Sequence, residues 1–164
     1  MTQREHLRHK RPTELSGERE AIVACPPLRS NVNLSRIVRT ASCCGFRRMI
    51  VCGSAKVDPK IARDGSEQVR LDVRRSLPPV LKKLRGEGYR LVGVEQTSDS
   101  QSIYEYAFQP RSVIVLGHER NGLQPDVLEL LDDVVEIPVY GLPHSYNVAS
   151  AAAMVLYEYC KQMS

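Results

Sequence analysis

Three short segments hold the polar residues that could bind or transform a ligand, and each stands where an apolar run gives way to a turn. The first is Asn31-Val-Asn-Leu-Ser-Arg-Ile-Val-Arg39. Arg36 and Arg39 are spaced to lie one helical turn apart, off the apolar face, so that two guanidinium groups could grip one phosphate. The second is Val115-Leu-Gly-His-Glu-Arg-Asn-Gly-Leu123, where two glycines bracket a polar turn and would let the backbone approach a ligand closely. The third is Ile137-Pro-Val-Tyr-Gly-Leu-Pro-His-Ser-Tyr-Asn147. Ser145 and Asn147 there precede a helical pattern whose first N–H groups are free for an anionic group. Taken singly, each segment also has an ordinary reading: a surface arginine pair, a β–α connection and a helix cap. Gly122 is not followed by Lys-Ser/Thr, and no GxGxxG occurs, so neither a phosphate loop nor a dinucleotide fingerprint is present.

The elements that would position these segments alternate between strand and helix. Short apolar runs at 21–25, 48–52, 89–95, 112–116 and 134–137 read as strands, most of them stopped by Gly or Pro. A helix is expected over 33–44, because Leu34, Ile37, Val38 and Ala41 fall on one face and Gly45 can close it. Further helices are expected near 59–63, from a Ser76 cap to about 85, over 125–131, and over 145–161 with Ser145 as the cap. The stretch 56–75 is otherwise polar and gives no clear element. This alternation predicts a single α/β domain with a mostly parallel sheet flanked by helices. The three polar segments would then lie at strand ends, where open α/β sheets bind ligands.

Charge is distributed unevenly along the chain. Up to Arg90 there are 20 Lys/Arg against 9 Asp/Glu; from Leu91 there are 3 against 10. The stretch from Arg29 to Arg48 holds Arg29, Arg36, Arg39, Arg47 and Arg48 and no acid. Such a split points to one face for a polyanion, although a solvated basic surface would look the same. Residues 1–15 form a basic extension with Arg4, Arg8, Lys10 and Arg11, and the domain proper is expected over 16–164. No apolar run is long enough for a membrane helix, and no secretory signal is read at the start, so a cytoplasmic location is expected. The five cysteines, Cys25, Cys43, Cys44, Cys52 and Cys160, lack CxxC or His/Cys ligand spacing. Buried thiols are expected, and no metal.

Together, the three segments resemble the signature motifs of the SpoU (TrmH) family of RNA ribose methyltransferases, within the SPOUT superfamily. The first corresponds to Asn33-Leu-Ser-Arg-Ile-Val-Arg39 with Thr40-Ala41 and Gly45-Phe46, the second to Gly117-His-Glu119 with Gly122-Leu123, and the third to Ile137-Pro138, Gly141 and Ser145-Tyr-Asn-Val148. Two positions depart from the family pattern: Ser35 stands for a glycine, where it would meet the target nucleotide, and Tyr146 for a leucine.

The resemblance implies transfer of a methyl group from S-adenosylmethionine to a ribose 2′-hydroxyl of RNA, in a homodimer whose C-terminal segment forms a deep trefoil knot. It implies Arg39 as the central catalytic residue, with Asn33, Glu119, Ser145 and Asn147 holding Arg39, the loops and the ribose. Gly117, Ile137, Tyr146 and Thr97 would hold the cofactor, and Arg29, Arg36 and Arg39 the RNA. The basic extension, with His6 and His9, resembles arms that some members use on tRNA, and no separate RNA-binding domain is read, so tRNA is favoured as substrate. The alternatives are ribosomal RNA as substrate, or an RNA-binding homologue without turnover.

Overall fold

The computed structural model describes residues 3–16 and 20–164; the first two residues of the basic extension lie outside these. Seven strands form one sheet: β1 (Ile22–Cys25), β2 (Arg48–Cys52), β3 (Arg70–Arg74), β4 (Arg90–Val94), β5 (Gln101–Ser102), β6 (Ser112–Val115) and β7 (Asp133–Glu136). Their spatial order is β3-β2-β1-β6-β4-β7-β5, and every adjacent pair is parallel. Six helices accompany them among the described residues: α1 (Asn31–Cys43), α2 (Pro59–Ala62), α3 (Gly65–Gln68), α4 (Leu77–Gly86), α5 (Pro125–Leu128) and α6 (Val148–Met163).

Past their first residues, the strands β1, β2, β4 and β6 carry no polar side chain, because both faces are covered. Val23, Cys25, Met49, Val51 and Ile114 point to one side, against Leu34, Ile37 and Val38 of α1 and Ala152, Val155 and Leu156 of α6. Ile22, Ala24, Ile50, Val113 and Val115 point to the other, against Leu77, Leu81 and Leu84 of α4. The last helix is pinned by aromatic packing: the Tyr159 ring lies 5.4 Å from that of Phe46 and 5.7 Å from that of Phe108. Its hydroxyl donates to Pro110 O at 2.7 Å, which satisfies the polar end of a fully buried ring. Among the described residues no helix is long and apolar enough to cross a membrane.

The structure departs from the sequence expectations in several places. Strands β3 and β5 were not expected, because both lie at sheet edges and carry no buried alternation. β3 is held to β2 by Asp72, which accepts from Arg48 Nε at 2.6 Å and lies 3.2 Å from Arg70 Nε. Helix α1 begins at Asn31 rather than residue 33, since the Ser30 hydroxyl accepts from Asn33 N at 3.1 Å and starts the helix earlier. Helix α5 stops at Leu128. Ser145 does not cap α6: Asn147 does, its Oδ1 accepting from Ala149 N at 2.8 Å and Ser150 N at 3.3 Å. Ser76 does stand at the start of α4, but its side chain makes no capping bond. In the basic extension, residues 3–16 have no regular structure, and Ser16 is tied to the end of α6, both its N–H and its hydroxyl donating to Met163 O.

Where β7 meets β4, three polar groups replace apolar packing. Asp133 accepts from Arg90 Nε at 2.8 Å and Nη2 at 3.0 Å, and from the Tyr106 hydroxyl at 2.6 Å. The Arg90 hydrogen bonds hold the Asp133 carboxyl below the usual carboxylate range despite partial burial. Burial first, and then the hydrogen bond to Asp133, raise the Tyr106 phenol above its ordinary value. A depressed carboxyl contributes stability above its unfolded pKa, near 4, and loses it as pH falls through the lower folded value. Asp133→Asn should therefore cost about 1–2 kcal/mol at neutral pH, a figure reduced for the part-exposed Arg90. The variant should also lose less stability than the parent as pH falls below about 4. Urea melts of both proteins at several pH values measure this, and parallel stability curves would rule it out.

Candidate active site

Four loops meet at the carboxyl edge of the sheet: residues 26–30 after β1, 95–100 after β4, 116–124 after β6 and 137–147 after β7. Asn33, on the first turn of α1, is buried, and its Oδ1 accepts from Asn147 Nδ2 at 3.2 Å. The two asparagines expected at the site therefore meet directly, although 114 residues separate them. Asn147 spends its oxygen on the N-terminus of α6 and its nitrogen on α1.

Glu119 reaches back to the loop after β1, both carboxylate oxygens accepting from Arg29 N at 2.9 and 3.0 Å. It fixes the approach to α1 through the Arg29 backbone, while the Arg29 side chain stays exposed. Arg36 and Arg39 leave α1 into solvent and have no hydrogen bond or ion pair among the described residues. Gly65, opening α3, lies against the backbone at this point. A Cβ there would sit 3.2 Å from Arg39 Cα and 3.1 Å from Val38 O, so a side chain would crowd the helix that carries Arg39.

The remaining expected residues lie on the loops. Thr97 forms a tight turn: its N–H donates to Ser100 Oγ at 3.1 Å and its hydroxyl to Asp99 Oδ1 at 2.8 Å. The Tyr146 hydroxyl donates to Pro138 O at 3.3 Å, closing the last loop on itself. Ser145 is exposed on that loop and makes no hydrogen bond among the described residues. The N–H groups of Gly117 and Ile137, at the ends of β6 and β7, have no protein acceptor among the described residues. Two unspent donors at the ends of strands that flank β4 suit a ligand bound through backbone groups.

Two contributors carried no sequence signal for this role. Glu95, just after β4, accepts from Leu123 N at 3.0 Å and Gln96 N at 3.0 Å. It thereby clamps the loop after β6, whose hairpin closes through paired His118 and Gly122 backbone bonds. Gly122 has φ +62° and lies against the Glu95 carboxylate, so a side chain there would be strained and would collide. Ser35, which the sequence placed against the target nucleotide, is instead fully buried. Its hydroxyl donates to Asn31 O at 2.6 Å and accepts from Asp58 N at 2.8 Å. It ties α1 to the residue that caps α2, so the group that departs from the family pattern is spent inside the protein.

The Cys25 thiol, fully buried at the end of β1, is pushed up to about 12, first by burial and then by Cys52 and Glu119. It stays a neutral thiol at physiological pH. Among the described residues, no cluster of three His, Cys, Asp or Glu side chains is placed to hold a metal ion.

A parallel α/β sheet with its polar groups gathered on carboxyl-edge loops defines a ligand-binding domain of the open-sheet class. The sequence pattern of the SpoU rRNA methylase family matches residues 20–157, and the chain belongs to that family. It is 32% identical over 147 residues to the tRNA (guanosine(18)-2′-O)-methyltransferase of Mus musculus, covering 86% of this chain but 9% of that protein. It is 26% identical to the enzyme of that name from Aquifex aeolicus, covering 88% of this chain and 71% of the relative. It is 34% identical to the 23S rRNA (guanosine-2′-O-)-methyltransferase of Acinetobacter baylyi, covering 79% and 55%.

Among solved structures, the A. aeolicus TrmH/SpoU tRNA modifying enzyme superposes with a TM-score of 0.83 at 25% identity, over 90% of this chain and 77% of that one. The SpoU methyltransferase AviRb from Streptomyces viridochromogenes, in complex with AdoMet, gives 0.74 at 25% identity, over 92% and 62%.

The buried Ser35 hydroxyl generates a test of local stability. Ser35→Ala removes both its hydrogen bonds and should lower unfolding free energy by about 1–2 kcal/mol. An unchanged midpoint and slope in urea melts would show that the tether between α1 and α2 contributes nothing.

Proposed function

We propose that this chain transfers a methyl group from S-adenosylmethionine to a ribose 2′-hydroxyl of RNA, with tRNA the favoured substrate. The observation that carries this reading is the Asn33–Asn147 hydrogen bond. It joins the first and third motif segments while Arg39, on the same helix as Asn33, keeps its guanidinium unengaged by any carboxylate among the described residues.

Gly117, Ile137, Thr97 and Tyr146 would hold the cofactor, through the unspent amides at the ends of β6 and β7 and the adjoining loops. When bound, S-adenosylmethionine supplies a methyl group already activated by its sulfonium. The protein must then orient the 2′-oxygen and favour loss of its proton. A guanidinium stays protonated throughout the physiological range, so Arg39 acts as a fixed positive charge beside the developing alkoxide and not as the base. Arg29 and Arg36 would share the RNA phosphates with it. Asn33, Asn147 and Glu119 position the loops, and the exposed Ser145 is left to meet the ribose.

The reading extends to residues 16–164 as the catalytic domain and 1–15 as an arm that adds phosphate contacts, supported by the run of basic residues beside Ser16. It includes a trefoil knot, supported by β7 lying between β4 and β5 while the chain returns for α6 to pack on α1. It includes a two-fold homodimer, supported by exposed Val32, Leu142 and Tyr146 around the loops. A cytoplasmic location is supported by the buried thiols of Cys25 and Cys52. The likeness to the A. baylyi protein, named for 23S rRNA, favours ribosomal RNA as the second substrate reading.

Arg39→Ala should lower methyl transfer at least ~100-fold with little change in S-adenosylmethionine affinity. Incorporation of labelled methyl into total RNA, followed by nucleoside mapping of the tRNA and rRNA fractions, measures the rate and identifies the substrate. Turnover near that of the parent would remove Arg39 from its role, and no incorporation by the parent would remove the catalytic reading. Sedimentation at micromolar concentration should show a dimer; an active monomer would contradict the assembly.

A further inference from the structure

The basic residues of the first half of the chain do not all gather around α1. Arg48, Arg74, Arg75 and Lys83 line a groove of about 560 Å³ between the β2–β3 edge and α4, with Glu87 the one acid among its lining residues. The groove starts at the carboxyl edge of the sheet, where Arg74 and Arg75 leave β3, and extends to Arg48 at the amino end of β2. It lies on the α4 face, to the β2–β3 side of the reactive loops and on the opposite layer from α1.

These charges are largely unspent. Asp72 is engaged by Arg48 and Arg70. Arg74 donates only to Val73 O, at 3.1 Å, and neither it nor Arg75 or Lys83 pairs with a carboxylate among the described residues. An edge strand rich in arginine discourages pairing with other strands, which accounts for Arg70 and Arg74. It does not account for Arg75, past the end of the strand, or for Lys83, on α4, both of which line the same groove. Cations gathered without partners repel one another and are neutralised best by a polyanion, whose binding also releases counterions.

The lining also bears on the form of that polyanion. No aromatic side chain lines the groove, so it has no platform on which a base could stack. It is suited to a sugar–phosphate backbone, contacted without regard to sequence.

We infer that this groove is a second RNA-docking site, which holds the phosphodiester backbone of the substrate away from the reacting ribose. The inference rests on the RNA-methylation reading for its ligand, and it adds a contact surface that the motif arginines and the N-terminal extension do not supply. Contacts here would orient the body of a folded RNA while the loops after β1, β6 and β7 engage one nucleotide.

The test is equilibrium binding of unfractionated tRNA and of pyrophosphate to the full chain across a range of KCl concentrations. The Arg74→Ala/Arg75→Ala/Lys83→Ala variant should bind tRNA at least ~10-fold more weakly at moderate salt. Its log K against log salt should be shallower by a little under three, given just under one unit per phosphate contact. Arg75→Ala alone, at an exposed position, should flatten the slope by a little under one unit and guards against misfolding of the triple variant. Arg74→Lys/Arg75→Lys/Lys83→Arg should bind with the parental slope, since it keeps the charges.

Parental affinity and slope in the alanine variants would overturn the inference. So would a loss of binding in the folded, charge-retaining variant as large as that in the alanine variant. Pyrophosphate binding that depends on the groove, with tRNA binding independent of it, would make this a small-anion site and overturn the RNA assignment. The two readings fail separately: groove-dependent tRNA binding without methyl transfer by the parent sinks catalysis and keeps the groove, and methyl transfer with groove-independent binding does the reverse.

Discussion

The Asn147 side chain holds together the two ends of the candidate site. Its oxygen satisfies the first free amides of α6, and its nitrogen reaches Asn33 at the start of α1. Without the cap, α6 loses its defined beginning; without the link to Asn33, the loop after β7 has no polar attachment to α1. Both helices pack on one face of the sheet, so the bond also sets where the arginines of α1 stand relative to that loop. Asn33 is buried, and its carbonyl would be left without a partner if Asn147 were lost, which is the costly way to break a hydrogen bond.

Around that link, carboxylates hold backbone. Glu119 accepts from the Arg29 amide, Glu95 from those of Leu123 and Gln96, and Asp132 from that of Leu91. The two glutamates fix loops that the sheet ladder does not reach, and Asp132 ties the start of β4 to the start of β7. Spending the acids in this way leaves Arg36 and Arg39 without internal partners, and a cation without a partner at a ligand-binding edge is available to phosphate.

The central strands and the two long helices α1 and α6 were legible in the sequence because burial on both faces or along one stripe leaves a periodic apolar pattern. The edge strands β3 and β5 were not, since half of an edge strand meets solvent and its pairing partners lie elsewhere in the chain. The site was legible as three segments but not as an arrangement. Asn33 and Asn147 could be picked out by resemblance, whereas their contact depends on how α6 returns to α1. The role of Ser35 was misjudged for a related reason: at a helix position four residues after Asn31, a hydroxyl can bond backwards to a carbonyl and face inward, and Asp58 arrives there only through the tertiary fold. Nothing adjacent to Glu95 in sequence announces its grip on Leu123.

That grip has an evolutionary corollary. Position 122 is constrained twice, by a left-handed backbone and by the carboxylate of residue 95 lying where a Cβ would go. A lineage that lost the acid at 95 would relax the second constraint and keep the first, so asparagine or aspartate, which tolerate such a backbone, would become accessible at 122. A lineage that keeps the acid can leave glycine only by swinging the end of that side chain aside, off the Leu123 amide. The two positions, distant in the chain, should therefore drift as a pair.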